Sequence, residues 1–382
     1  MKEEGMKGIR GIRGIRGIRG IKGKEELGNR EERREGRVKG RIVMVMMVVM
    51  MVMGCNSGGV KGEGAGGGDR RGGGSLSELI ATSRQVFLDA FVSFGELLKG
   101  TFGITSDTTK EEVGERLGKI GEAVQVAKRK LESIKEDSNY NLIKTRVDSI
   151  MTKAIDTLEK IVNGANKIKE STISAADKIA SANADNNDAV QADKISVKGL
   201  VEGISMLCEA AKGVGTEPKG NVNRVITDSK EVGNLFGQTA NVTDAKALSG
   251  ANKALNEVIG ADILLAIEAA KDGTSKDAGD INAATNAFDM AIANKNHGNL
   301  SNINTNASVI SAGLALKAMA KNGKLATLAT HAPKEGVNAV LYRSVNKTVN
   351  EIVSIIRRTV DKCLKDVDDC LKENSSSEVS SS

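Results

Sequence analysis

Residues 336–372 read GVNAVLYRSVNKTVNEIVSIIRRTVDKCLKDVDDCLK. Val337, Leu341, Val345, Val349, Ile352, Ile356, Val360, Cys363, Val367 and Cys370 or Leu371 recur at three- and four-residue steps, which a helix gathers onto one face. At the helical rise these residues span about 55 Å. An apolar stripe of that length needs a partner of similar length. The spacing predicts pairing with the first helix of the folded region in an elongated bundle.

Working back along the chain, Ser75-Leu-Ser-Glu78 has the pattern of a capping box. Leu76, Leu79, Ile80, Phe87, Phe91, Phe94, Leu97 and Leu98 follow it as a packing face. Thr108-Thr-Lys-Glu111 opens a second helix, striped by Val113, Leu117, Ile120, Val124, Ala127, Leu131 and Ile134, and Asp137-Ser-Asn139 ends it. A third carries Leu142, Ile143, Val147, Ile150, Ile155, Leu158, Ile161 and Val162 and weakens beyond Lys169.

The middle alternates short helices with polar stretches. Helices are expected at 197–212, 251–271 and 307–321, and loops at 181–196, 213–241, 271–301 and 323–335. The fold class read from this is all-α: paired N- and C-terminal helices, with a distal region of short helices and variable loops. The folded domain is expected over 75–373, followed by a disordered Ser-rich tail at 374–382.

Composition removes several functions. Two Pro in 382 residues do not suit an all-β chain with many turns. His297 and His331 are the two histidines, and they fall in separate polar loops, so neither a His-based metal site nor a catalytic triad is expected. Aromatics at 2% leave little for base stacking. The net charge of +6 is uneven: residues 1–54 hold fourteen Lys/Arg and seven Glu, which leaves −1 for the remainder. The basic balance therefore belongs to the N-terminal segment, and no nucleic-acid partner is expected.

That segment begins with five Gly-Ile-basic triplets at 8–22, too few and too Pro-free for a collagen helix, and they read as a cationic linker or sequence upstream of the true start. Arg37, Lys39 and Arg41 then precede an apolar run of 12 residues, Ile42–Met53. The run is shorter than the roughly 20 residues a membrane span needs, and a basic region before a short apolar one is a secretory signal. Translation starting near Val38 would give a signal of ordinary length. The run closes on Val52-Met53-Gly54-Cys55, which resembles a bacterial lipobox. Cleavage is then expected between Gly54 and Cys55. Cys55 would carry diacylglycerol on its sulfur and an acyl chain on its new amine, an anchor firmer than a single chain gives. The alternative is a core cysteine at the end of an apolar helix. Residues 56–74 contain ten Gly and read, with Cys55, as a lipidated flexible tether.

Three cysteines remain. Cys363 and Cys370 lie two helical turns apart, about 10.5 Å along the axis, whereas a disulfide needs Cα atoms within about 7 Å. Within one intact helix they either pack in the apolar seam or cross-link two copies as a homodimer. Their spacing, with no His nearby, is not that of a zinc site, and no cofactor is expected. Lys128-Arg129-Lys130 and Arg357-Arg358 are the densest basic spots after residue 54, while Glu111/Glu112, Asp366 and Asp368/Asp369 are the acidic ones. Charge clusters on helices are usually solvated faces.

Cys55-Asn-Ser-Gly-Gly59, Val86-Phe-Leu-Asp-Ala-Phe-Val-Ser-Phe94, Gly103-Ile-Thr-Ser-Asp-Thr108, Val113-Gly114, Val232-Gly-Asn-Leu-Phe-Gly237, Gly260-Ala-Asp-Ile-Leu264, Ala312-Gly-Leu-Ala-Leu-Lys-Ala-Met-Ala-Lys321 and the final helix occur in this order. Together they resemble the variable large proteins of relapsing-fever spirochaetes, the variable major lipoproteins of Borrelia, from Cys55 to about Lys372. The resemblance implies a lipoprotein on the extracellular face of the cell outer membrane, without a catalytic site or cofactor. It implies a helical scaffold with its terminal helices near the membrane and variable loops at the far end. It implies antigenic variation: one gene of a silent repertoire is expressed at a time, and switching evades host antibodies. The runner-up is an adhesin that binds host glycosaminoglycan or a plasma protein through Lys/Arg on those loops. The N-terminal extension, the three extra cysteines and the short Asn-rich loops depart from the family pattern.

Overall fold

The computed structural model describes residues 103–379, except 138, 139, 142, 183 and 297, together with Gln85 and Val92. Between residues 103 and 379 it has eight α-helices: α1 Lys110–Glu136, α2 Lys144–Thr172, α3 Lys194–Gly213, α4 Lys246–Glu257, α5 Gly260–Ala269, α6 Ala287–Ile292, α7 Ala307–Met319 and α8 Lys334–Val379. Isolated β-bridges occur, but no extended strand is present among the described residues. The fold class is all-α, as the periodicity predicts.

Helices α1, α2 and α3 pack side by side, each antiparallel to the next. Glycines let their backbones approach. A Cβ on Gly164 of α2 would lie 2.8 Å from the Gly203 carbonyl of α3, and one on Gly203 equally close to the Gly164 carbonyl. No larger residue fits at either position without moving a helix.

Helix α7 is the centre of the core. All of its residues from Ala307 to Met319 are buried, and it touches α3, α4, α5, α6 and α8 as well as α1. A helix without a polar face is stable only when enclosed in this way. Helix α8 crosses α2, α7, α5, α3 and α4 and buries Val337, Leu341, Val345, Ile352, Ile356, Val360 and Val367 on the expected stripe. The expected partner, the helix beginning at Ser75, falls outside the described residues except for Gln85 and Val92, which are both helical.

Helix α1 does open within Thr108-Thr-Lys-Glu111, and its capping box is Thr109 with Glu112: Thr109 Oγ1 accepts from the Glu112 amide at 3.1 Å and Glu112 Oε2 accepts from the Thr109 amide at 2.8 Å. Thr108 is already engaged, its Oγ1 accepting from the Thr105 amide at 3.0 Å. Several sequence expectations need correction. The helix expected over 251–271 is two helices. Val258 and Ile259 are extended, Asp262 Oδ2 accepts from the Ile259 amide at 3.0 Å, and Lys347 Nζ of α8 donates to the carbonyls of Leu255 and Val258 at 2.8 and 2.6 Å. A contact from a distant helix thus fixes the break.

Two expected loops contain helical turns. Residues 213–241 include the 3₁₀ turns Lys230–Phe236 and Thr239–Asn241, and 271–301 includes α6, where Phe288 and Met290 are fully buried. Helix α8 continues to Val379, through most of the tail expected to be disordered from 374. No described helix is long and apolar enough to cross a membrane.

Candidate functional site

The helix ends deliver four connecting segments, 173–193, 214–245, 270–306 and 320–333, and hydrogen bonds knit them together. Val190 and Lys324 exchange backbone bonds at 3.0 and 3.1 Å, and Asp193 N–H donates to Lys321 O at 2.9 Å. The Ile226 and Ser229 amides donate to Thr305 and Asn304, both at 2.9 Å, and the Leu300 amide donates to Lys230 O at 2.8 Å. The two pairs are joined where Ala326 N–H reaches Leu235 O at 2.7 Å and Ala189 N–H reaches Gly237 O at 3.0 Å.

Within this cluster most large apolar side chains point inward, Ile173, Val190 and Val225 being exposed. Leu235, Phe236, Phe288, Leu300, Ile303 and Leu325 are buried. Residues 184–187, 219–221, 227–228, 275–277, 295–296 and 301–302 are exposed. Side chains also tie one segment to another. Asp188 accepts from the Thr239 amide and from Lys295 Nζ, each at 2.9 Å, which together hold its carboxyl below the usual carboxylate range. The Asn304 side-chain amide and the Lys230 backbone amide do the same for Asp228.

The other sequence candidates are dispersed. Gly54 and Cys55 lie outside the described residues, as does His297. His331 is half-buried in the 320–333 segment. Cys208, Cys363 and Cys370 are buried free thiols. Burial pushes the thiols of Cys208 and Cys363 up to about 12, and Cys370 Sγ donates to the Arg146 carbonyl at 3.7 Å. A thiol held protonated is a poor nucleophile.

The basic spots are matched by acids. Lys128 pairs with Glu159 and, at 3.4 Å, with Glu132, while Arg357 lies 3.8 Å from Asp361 and Arg358 lies 3.1 Å from Glu351. The acidic residues of α8 pair likewise, Asp366 with Lys362, Asp369 with Lys365 and Asp368 with Lys372. Among the described residues no group of three or more His, Cys, Asp or Glu could hold a metal ion.

Sequence reasoning missed a pair of buried lysines. Lys110, at the start of α1, donates from Nζ to the carbonyls of Ala320 and Gly323 at 2.8 and 2.7 Å, and so clasps the chain leaving α7. Lys317 is buried on α7, its Nζ 5.5 Å from the centre of the Phe236 ring and without a hydrogen-bond partner among the described residues. Burial pushes both amines down to about 7. Nothing in the local sequence marks either residue as buried. What these parts offer chemically is an exposed polar loop cluster on an enclosed scaffold, with thiols and lysine amines withdrawn from solvent.

Residues 87–371 match the family model described as Borrelia lipoprotein. The chain is 34% identical over 301 residues to variable large protein 4 of Borrelia hermsii, covering 76% of this chain and 83% of that protein. It is 33% identical over 282 residues to variable large protein 17 of the same organism, covering 72% and 77%. Among solved structures, the Lyme disease variable surface antigen VlsE of Borrelia burgdorferi superposes with a TM-score of 0.64 at 27% identity, over 77% of this chain and 98% of that one. The chain belongs to the Borrelia lipoprotein family, and variable large proteins are its relatives.

Proposed function

We propose that this protein is a lipid-anchored antigen on the outer face of the bacterial outer membrane, and that it serves antigenic variation by displaying and replacing loop epitopes. One observation carries the reading. The exposed polar segments that connect the helices belong to a chain whose relatives are named variable large proteins, and they stand on a core led by the enclosed helix α7. Loops with little buried surface accept substitution that a packed helix does not. In this reading Gly54–Cys55 is the cleavage site, acylated Cys55 holds the outer-membrane lipid, and residues 56–74 are the leash. The partners are host antibodies, and the molecule does not turn over a substrate. Cys363 and Cys370 serve as packing residues on α8.

The test is proteolysis of intact cells together with mass spectrometry of the mature N-terminus. An acylated Cys55 at the N-terminus, with cuts in 213–241 or 271–301 on whole cells, is the expected result. Retention of residues 1–54, or protection of both segments until lysis, would place the protein inside the envelope and reject the reading.

A further inference from the structure

The sequence holds two Asn-Gly pairs, Asn163–Gly164 and Asn322–Gly323. Asn-Gly is the dipeptide most prone to intramolecular imide formation, because glycine has no side chain to hinder attack by its own nitrogen. The structure treats the two pairs differently. Asn163–Gly164 lies inside α2, eight residues from its end, where Gly164 is packed against α3. The regular backbone bonding of that helix must open before the Gly164 nitrogen is free to attack. Asn322–Gly323 lies in the turn after α7. Asn322 is exposed with φ +65°, a left-handed conformation that Asn tolerates better than most residues, and Gly323 closes a single isolated turn outside any helix, so no helical bonding has to open around it. Gly323 is also mechanically engaged. Its carbonyl accepts from Lys110 Nζ at 2.7 Å, and its Cα sits so close to the Lys317 carbonyl that a Cβ would overlap it.

We propose that Asn322–Gly323 is a site of spontaneous deamidation and isoaspartate formation, and that isoaspartate there releases the Lys110 clasp on the end of α7. The Gly323 nitrogen attacks Asn322 Cγ. A bond forms between them, the Cγ–Nδ2 bond breaks, and the proton from the Gly323 amide leaves with ammonia. Water then opens the imide. Attack at Cγ restores the normal backbone with an ordinary aspartate side chain at this position, and attack at the main-chain carbonyl leaves Gly323 attached through Cγ. The second product lengthens the main chain by one methylene, and a tightly seated Gly323 cannot absorb it without withdrawing its carbonyl from Lys110. Both products place a carboxylate at the exposed position 322, between the half-buried Lys321 and Lys324.

The experiment ages the folded full-length chain in mildly alkaline buffer and follows both sites by peptide mapping. Isoaspartate is scored by fragmentation and by methyl transfer from an isoaspartyl methyltransferase. Conversion at 322 should exceed that at 163 by at least about tenfold in the folded chain, and the two should converge in denaturant, where local opening no longer separates them. The Asn322→Gln variant, which forms the imide far less readily, should lose the methyl acceptance. Hydrogen exchange at 320–324 should be faster in the aged chain than in Asn322→Asp, which keeps the normal backbone. Equal conversion at both sites in the folded chain, or none at 322 while denatured chain converts, overturns the site. Equal exchange in aged chain and Asn322→Asp overturns the release of the clasp.

Discussion

Lys317 places an amine with no hydrogen-bond partner among the described residues in the last turn of an enclosed helix. The charged groups near it are few. Lys110 faces it from α1 and adds repulsion, while Lys110 itself is influenced by Asp177 and Lys324, which lie 3.3 Å apart. Each amine is pushed from the ordinary 10.5 down to about 7, so between these values the unfolded chain binds protons that the folded chain does not. Stability therefore increases with pH across that window and is flat below it. The buried thiols act in the opposite direction above pH 9, because Cys208 and Cys363 are held protonated to about 12 when folded and ionise near 9 when unfolded. Denaturant midpoints should rise from pH 7 to pH 9 and then level or fall. Lys317→Met should be more stable than the parent at pH 7 by about 1–3 kcal/mol and should flatten the rise, since it removes a buried polar group that nothing satisfies. Lys110→Met should lose about 1–3 kcal/mol, because the Ala320 and Gly323 carbonyls lose their donor. Iodoacetamide should label Cys208, Cys363 and Cys370 in urea and leave all three untouched in the native chain. Native labelling of Cys363 or Cys370 would reject their role as core residues.

At the scale of elements, the close passage of α2 over α3 rests on glycine. Gly203→Ala puts a methyl group 2.8 Å from the Gly164 carbonyl and 2.7 Å from an Ile168 side-chain carbon, and should cost about 1–3 kcal/mol by thermal or denaturant unfolding. Gly213, at the end of α3, has nothing within 4 Å of a Cβ, and Gly213→Ala should be neutral or slightly stabilising. The same contrast explains which elements were legible in the sequence. Helices α1 and α2 bury one face over 27 and 29 residues and α8 does so from Val337 to Leu371, long enough for a helical period to show against noise. Helix α6 has six residues and the main 3₁₀ turn seven, and a period cannot be read from two turns. Their burial is decided by partners far away in sequence, as at Leu235, whose carbonyl accepts from Ala326. The break between α4 and α5 was hidden for the same reason, since Lys347 enforces it from α8.

At the scale of the whole molecule, the two parts of the proposed site differ in how sequence encodes them. The proposed lipid-attachment residue Cys55 is written in four adjacent residues that close an apolar run and needs no fold to be recognised. The loop cluster is written in contacts such as Asn187 with Thr327 and Lys295 with Asp188, across 140 and 107 positions, which no local pattern carries. Polar composition marked these segments as loops without showing that they converge. Their convergence makes a separable prediction. Gln238, Thr243, Asn299 and Ser301 are exposed in the cluster, whereas Leu316 is fully buried in α7. Replacing the four by Ala should leave stability within about 0.5 kcal/mol for each, while Leu316→Ala should cost about 2–5 kcal/mol. Antiserum raised against the folded parent should lose titre on the four-fold loop variant and keep it on Leu316→Ala at a temperature where that variant is folded. If the loop variant keeps full titre while Leu316→Ala loses it, recognition follows the scaffold rather than the loops, and epitope replacement in the loops could not be how this chain escapes antibody.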